Sequence, residues 1–93
     1  MNKIEIIDGH DGFEREVTGT YNLDDNNVYE WELYTYDGLT SIMFIDCEAK
    51  FNLEDEDECE QIGLTEEEGE RIFDEILDFV NDNGYDFIGE EFE

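Results

Sequence analysis

Proline is absent from the 93 residues, and lysine and arginine together number only 4. Without proline there is no rigid Pro-rich linker to divide the chain, and at this length one small domain with one modest core is expected. So few cations against 30 Asp and Glu leave a net charge of −26 at pH 7. Nucleic acid and anionic membranes are polyanions themselves, so this balance argues against either as a direct ligand. The single histidine, His10, lies in the turn Asp8-Gly9-His10-Asp11-Gly12 without a visible base partner or pocket. General acid–base chemistry needs both, so no catalytic residue is assigned and a non-enzymatic protein is expected. Cys47 and Cys59 have no second ligand pair near them, which predicts reduced, unpaired thiols and no zinc site. No apolar stretch approaches the roughly 20 residues of a membrane span. The stretch before Asp11 has Lys3 as its basic residue, and its apolar run Ile4–Ile7 is broken by Glu5, unlike a secretory leader. These features predict a cytoplasmic protein with no membrane partner.

What is present is a foldable composition. Hydrophobic residues make up 39% and aromatics 14%, too many for a disordered acidic tail. Solubility is reached with a net charge of roughly 2–8 on a small domain, and a larger excess destabilises the compact state by self-repulsion. Duplex DNA supplies a scale. A chain of this length is expected to have a radius of gyration of about 12 Å and a width of roughly 30 Å. Duplex of that length carries about 18 phosphates, so the domain is at least as anionic as the DNA it could displace.

The first half alternates with period two. Phe13, Val17, Tyr21 and Leu23 share one side of a strand over 13–23, with Glu14, Glu16 and Thr18 on the other, and Asp24-Asp25-Asn26-Asn27 follows as a turn. Tyr29, Trp31 and Leu33 share a side over 28–36, and Asp37-Gly38 is a hairpin signal. A long third strand is read over 39–51, with Leu39, Met43, Ile45, Cys47, Ala49 and Phe51 inward and Ile42 and Phe44 on the opposite side. The centre of that strand is then either covered on both faces or presents an aromatic patch, and exposure of Ile42 and Phe44 would allow a homodimer without requiring one. A short leading strand, 3–7, completes an antiparallel sheet of about four strands. Residues 52–64 are read as an acidic loop, since 54–60 carries six acids and no apolar period. Thr65 with Glu68 forms a capping box, opening an amphipathic helix over 65–83 that ends at Asn83-Gly84. Ile72, Phe73, Ile76, Leu77 and Val80 gather on one helix face, and Glu67, Asp74, Glu75, Asp78 and Asp82 on the other. The fold class is therefore α+β, a β-β-β-β-α chain with its C-terminal helix packed on one sheet face and a tail over 84–93 that interleaves Phe87, Ile88 and Phe92 with acids.

Three uses of the acids compete. Asp55, Asp57 and Glu66 stand at positions one, three and twelve of a calcium-loop register, but Glu60 replaces its obligatory glycine and no helix pattern precedes it, so no metal or other cofactor is assigned. Salt-adapted proteins are acidic too, yet as a general expectation they favour alanine, and Ala49 is the single alanine here. The third use is imitation of a phosphate backbone, because a groove of Lys and Arg does not distinguish carboxylates from phosphates by charge alone. Same-face carboxylates along a helix recur at roughly 5–6 Å, and phosphates of one strand advance by about 3.4 Å.

Small size, extreme acidity on a patterned sheet and helix, and missing catalytic groups together resemble the DNA-mimic inhibitors of phages and mobile elements, the anti-CRISPR and anti-restriction proteins. That resemblance covers the chain in composition and rests on no motif. It implies a partner in the basic nucleic-acid site of a nuclease or CRISPR complex, such as the arginines that read the protospacer-adjacent motif or the DNA channel. The expected contact residues are Glu54, Asp55, Glu56, Asp57, Glu58 and Glu60 of the acidic segment and Glu67, Asp74 and Asp78 of the helix. Tyr34, Tyr36 and Phe44 are added as aromatic anchors. The competing expectation is an acidic immunity or chaperone-like protein that neutralises a basic protein without imitating DNA.

Overall fold

Alternation of apolar and polar side chains commits one face of β2 (Glu16–Asp24) and β3 (Asn27–Tyr36) to a core. The computed structural model, which describes residues 3–10, 16–24, 27–36 and 39–85, adds β1 (Ile4–His10), β4 (Leu39–Asp46) and β5 (Ala49–Asn52). All are antiparallel neighbours in one sheet, in the order β1-β2-β3-β4-β5. Two helices follow, α1 (Glu56–Gln61) and α2 (Glu66–Asp82), so the class is α+β with a five-stranded meander. The radius of gyration is 12.5 Å and the extents are 33 × 30 × 22 Å, the size expected of a chain packed to native density.

Register builds the core face. Val17 stands opposite Leu33, Gly19 opposite Trp31, Trp31 opposite Phe44, and Leu33 opposite Ile42. Ile72, Phe73, Ile76 and Val80 of α2 join them in one buried cluster. Each such side chain contributes about 1.5–3 kcal/mol on leaving water. Gly19 is required where it stands, because a Cβ there would collide with the Glu5 carbonyl oxygen and lie 2.5 Å from Trp31 Cζ2. Gly69 does the same for α2, since a Cβ would lie 2.7 Å from both Cys59 Sγ and the Leu53 carbonyl oxygen. The start of α2 is the expected capping box, with Thr65 Oγ1 accepting from the Glu68 N–H at 3.1 Å and Glu68 accepting from the Thr65 N–H at 2.9 Å.

Four expectations are corrected. The sheet has five strands, not about four, because the long strand over 39–51 is broken by a turn in which Cys47 (φ 53°) and Glu48 (φ 74°) both adopt left-handed backbone. A two-residue turn of this kind normally carries Gly or Asn, so this one leaves no mark in the sequence. The facing of that strand is also reversed: Ile42 and Phe44 are buried, Met43 and Ile45 lie on the open face, and Cys47 and Ala49 are exposed. After the turn Phe51 pairs with Phe44 and so returns to the core side. Third, the segment 52–64 is not all loop, since Asp55 caps α1 by accepting from the N–H groups of Asp57 and Glu58. One turn and a half needs only one inward residue, Cys59, which is why no period was visible. Fourth, the leading strand continues past Ile7 to His10, bulging between Ile6 and Asp8. The tail 86–93 and the side chain of Tyr36 lie outside the described residues.

One polar junction ties the helix to the sheet edge. The Tyr21 hydroxyl donates to Glu75 Oε1 at 2.5 Å, and Lys3 Nζ lies 3.4 Å from Glu75 Oε2 and 5.3 Å from the Tyr21 ring centroid. Burial pushes the Glu75 carboxyl up, but the Tyr21 hydroxyl and the charges of Lys3 and Arg71 outweigh it and leave the group below its usual 4.5. A depressed carboxyl contributes stability that is fully present above its unfolded value and disappears as pH falls through the folded one. Tyr21→Phe is therefore expected to cost roughly 1 kcal/mol at neutral pH. In denaturant titrations at several pH values, its gap from the unaltered protein should close as pH drops below 4.5.

Candidate anionic interface

Helix α2 presents its acids in a specific row. Glu66, Glu70, Asp74, Asp78 and Asp82 recur at every fourth position, and all are exposed. Four residues make about 400° of helix, so each step climbs about 6 Å and turns about 40° further round, a right-handed staircase about 24 Å long. Every step joins two like charges at i,i+4, each such pair costing about 0.2–0.5 kcal/mol. The row also runs to the wrong end: the last turn has no basic residue, and Asp78 and Asp82 sit where the helix dipole is negative. Charge laid out against the stability of its own helix is not explained by folding.

Glu67, Asp74 and Asp78, expected as contact residues, are all on the outer surface of α2. Glu66, Glu70 and Asp82 complete the row; the sequence puts Asp82 on this face but names none of the three as a contact, although their fourfold spacing is legible in it. Glu75, read as part of the outer face, is turned instead toward Tyr21 and Lys3.

The acidic segment is divided by its helix. Glu54, Glu56, Asp57 and Glu60 are exposed. Asp55 is held by the α1 cap, and Glu58 Oε1 accepts from the Asn52 N–H at 2.6 Å, tying α1 to the end of β5. Those two carboxylates serve the fold, while Glu56, Asp57 and Glu60 stand on the outer surface of α1. Cys59 beneath them is buried and donates to the Leu53 carbonyl at 3.4 Å. Burial, then the charges of Asp55, Glu58 and Glu66, pushes its thiol up, away from reactive thiolate.

The three aromatics part company. Phe44 is fully buried, stacked on Tyr29 with ring centroids 5.1 Å apart, and is corrected from contact residue to core residue. Tyr34 lies on the sheet face that neither described helix covers, opposite Glu16 on β2 and Ser41 on β4. Tyr36 ends β3, and its side chain is outside the described set. On the same open face Lys50 Nζ lies 3.1 Å from Glu32 Oε1. A hydrogen bond shared with Glu16, together with the Lys50 ammonium, outweighs burial and holds the Glu32 carboxyl below its usual range.

Among the described residues no group of three or more His, Cys, Asp or Glu is arranged to hold a metal ion, and no helix is long and apolar enough to cross a membrane. Compared with protein-family models, curated proteins and solved structures, the chain matches none of them.

Proposed function

We propose that this protein is a DNA-mimic inhibitor, which occupies the basic nucleic-acid site of a CRISPR effector complex or restriction nuclease and so blocks DNA binding. The observation that carries the reading is the α2 staircase, with the acidic helix α1 packed against α2 where Cys59 meets Gly69. B-DNA turns right-handed by about 34–36° per base pair, close to the roughly 40° between successive carboxylates. Its rise is shorter, so over about 24 Å one strand shows about 8 phosphates where the staircase shows five acids. A Lys/Arg groove that follows a phosphate strand would meet charges of the same hand and similar angular step, at about two-thirds of the density. The partner is a protein surface, since the −26 charge repels nucleic acid itself.

The test is a panel of purified CRISPR complexes and restriction nucleases, each assayed for duplex binding as the protein is titrated in. For the true target, duplex DNA and the protein should exclude one another. Raising salt from about 50 to about 200 mM should weaken the protein's affinity by 100-fold or more, the response of a multi-phosphate contact. Tight partners whose DNA affinity is unchanged at saturating protein would refute the proposal.

A further inference from the structure

The sheet has a second face, directed away from α2, and it differs in kind from the helix surface. Cross-strand register places Glu30 beside Ile45, Glu32 beside Met43, and Glu16 beside Tyr34. None of these six side chains is buried, whereas Trp31, Leu33, Ile42 and Phe44 on the opposite face are fully enclosed. Tyr34 is the diagonal neighbour of Met43, and Ile45 follows Met43 two residues on, about 7 Å along the strand. The result is a contiguous apolar strip flanked by carboxylates, with Lys50, already beside Glu32, as the described cation on that face. A pure phosphate mimic has no use for an apolar strip. A strip rimmed by one sign of charge has the anatomy of a protein interface, an apolar centre within a charged rim.

We infer that this open face is a second docking surface, for a basic protein segment that lays an apolar side chain across Tyr34, Met43 and Ile45 while its Lys or Arg residues meet Glu16, Glu30 and Glu32. Charge complementarity selects that occupant. A second copy brings another −26, and nucleic acid or an anionic membrane is repelled outright. The two surfaces point to opposite sides of a body 22 Å across its thinnest dimension, so both can be engaged together.

The probe is a pair of synthetic peptides of equal charge, one alternating Arg with Leu and one alternating Arg with Ser, titrated into the full chain and followed by NMR. The Leu peptide should bind about tenfold more tightly than the Ser peptide, the gain of burying an apolar anchor. It should also move the Met43 and Ile45 methyl signals. Met43→Lys and, as an independent variant, Tyr34→Ser should each abolish that tenfold preference, with circular dichroism confirming the fold. Asp78→Lys with Asp82→Lys should keep it, which separates this surface from the α2 staircase whether or not the DNA-mimic reading holds. Equal affinities for the two peptides, or a preference lost in the α2 variant, would overturn the inference. So would sedimentation showing a homodimer that Met43→Lys dissociates, which would make the occupant a second copy.

Discussion

Asp78→Lys combined with Asp82→Lys should give a protein that is more stable and binds its target far less well. Both positions stand in the last turns of α2, against the negative end of the helix dipole, and both belong to the i,i+4 row of acids. Reversing their charge turns the repulsion between positions 74 and 78 into attraction and places two cations where the dipole favours them. At about 0.2–0.5 kcal/mol per pair and about 0.3–1 kcal/mol per dipole contact, the gain is about 2 kcal/mol at low ionic strength. For a domain of this size that raises Tm by roughly 8–15 °C, and the increase should shrink in high salt as the charges are screened. Affinity for a basic DNA site should fall by at least about 100-fold, since two attractive contacts become repulsive ones. Thermal melts and competition against duplex DNA on the same samples check both halves. A variant that loses stability, or keeps its affinity, would mean that this end of α2 does not face the partner.

That opposition between stability and binding bears on the whole surface. Carboxylates that serve the fold are recognisable by what they accept: Asp55 from the α1 N–H groups, Glu58 from Asn52, Glu68 from Thr65, Glu75 from Tyr21. Those of the staircase are arranged so that each opposes its neighbours. Natural proteins hold strained or repulsive arrangements where function requires them, with the cost carried by the rest of the fold. Here the enclosed core of Trp31, Phe44, Leu33 and the α2 apolar stripe carries it.

What could be read from the sequence was whatever is decided locally. The capping box of Thr65 and Glu68 and the spacing of Ile72, Ile76 and Val80 define α2 within one segment, and its observed bounds differ from the expected ones by a residue at each end. Strands β2 and β3 alternate cleanly because one of their faces is polar. Strand β4 does not: Ile42 and Phe44 alternate with Met43 and Ile45, all apolar, so periodicity cannot choose between its faces. Tertiary pairing chooses, through Trp31 opposite Phe44 and Leu33 opposite Ile42. The Cys47-Glu48 turn was hidden for a related reason, since its left-handed backbone is imposed by the hairpin without the glycine that would announce it. Helix α1 carries so many acids that one buried cysteine gives no periodic signal. The site follows accordingly: the helix acids are legible, the structural use of Asp55 and Glu58 is not, and periodicity alone sets Phe44 on the wrong side of the sheet.

Phe44→Ala measures that register directly. The ring is fully buried, stacked on Tyr29 at 5.1 Å and tilted against Tyr21 at 5.9 Å. Truncating it should cost about 3–5 kcal/mol, a large share of the roughly 5–15 kcal/mol that holds a small domain together, and lower Tm by roughly 15–30 °C. Tyr34→Ala, on the open face, should shift Tm by only a few degrees, about 0.5 kcal/mol. Met43→Ala and Ile45→Ala should behave like Tyr34→Ala, because their side chains leave no enclosed cavity. If the strand instead faced the way its odd-numbered residues suggest, the order would invert, with Met43→Ala and Ile45→Ala damaging the fold and Phe44→Ala harmless. Four single variants melted in parallel therefore decide which set of side chains forms the core. They also decide whether a loss of binding in Phe44→Ala reports a lost contact or a lost fold, and the enclosed ring predicts the latter.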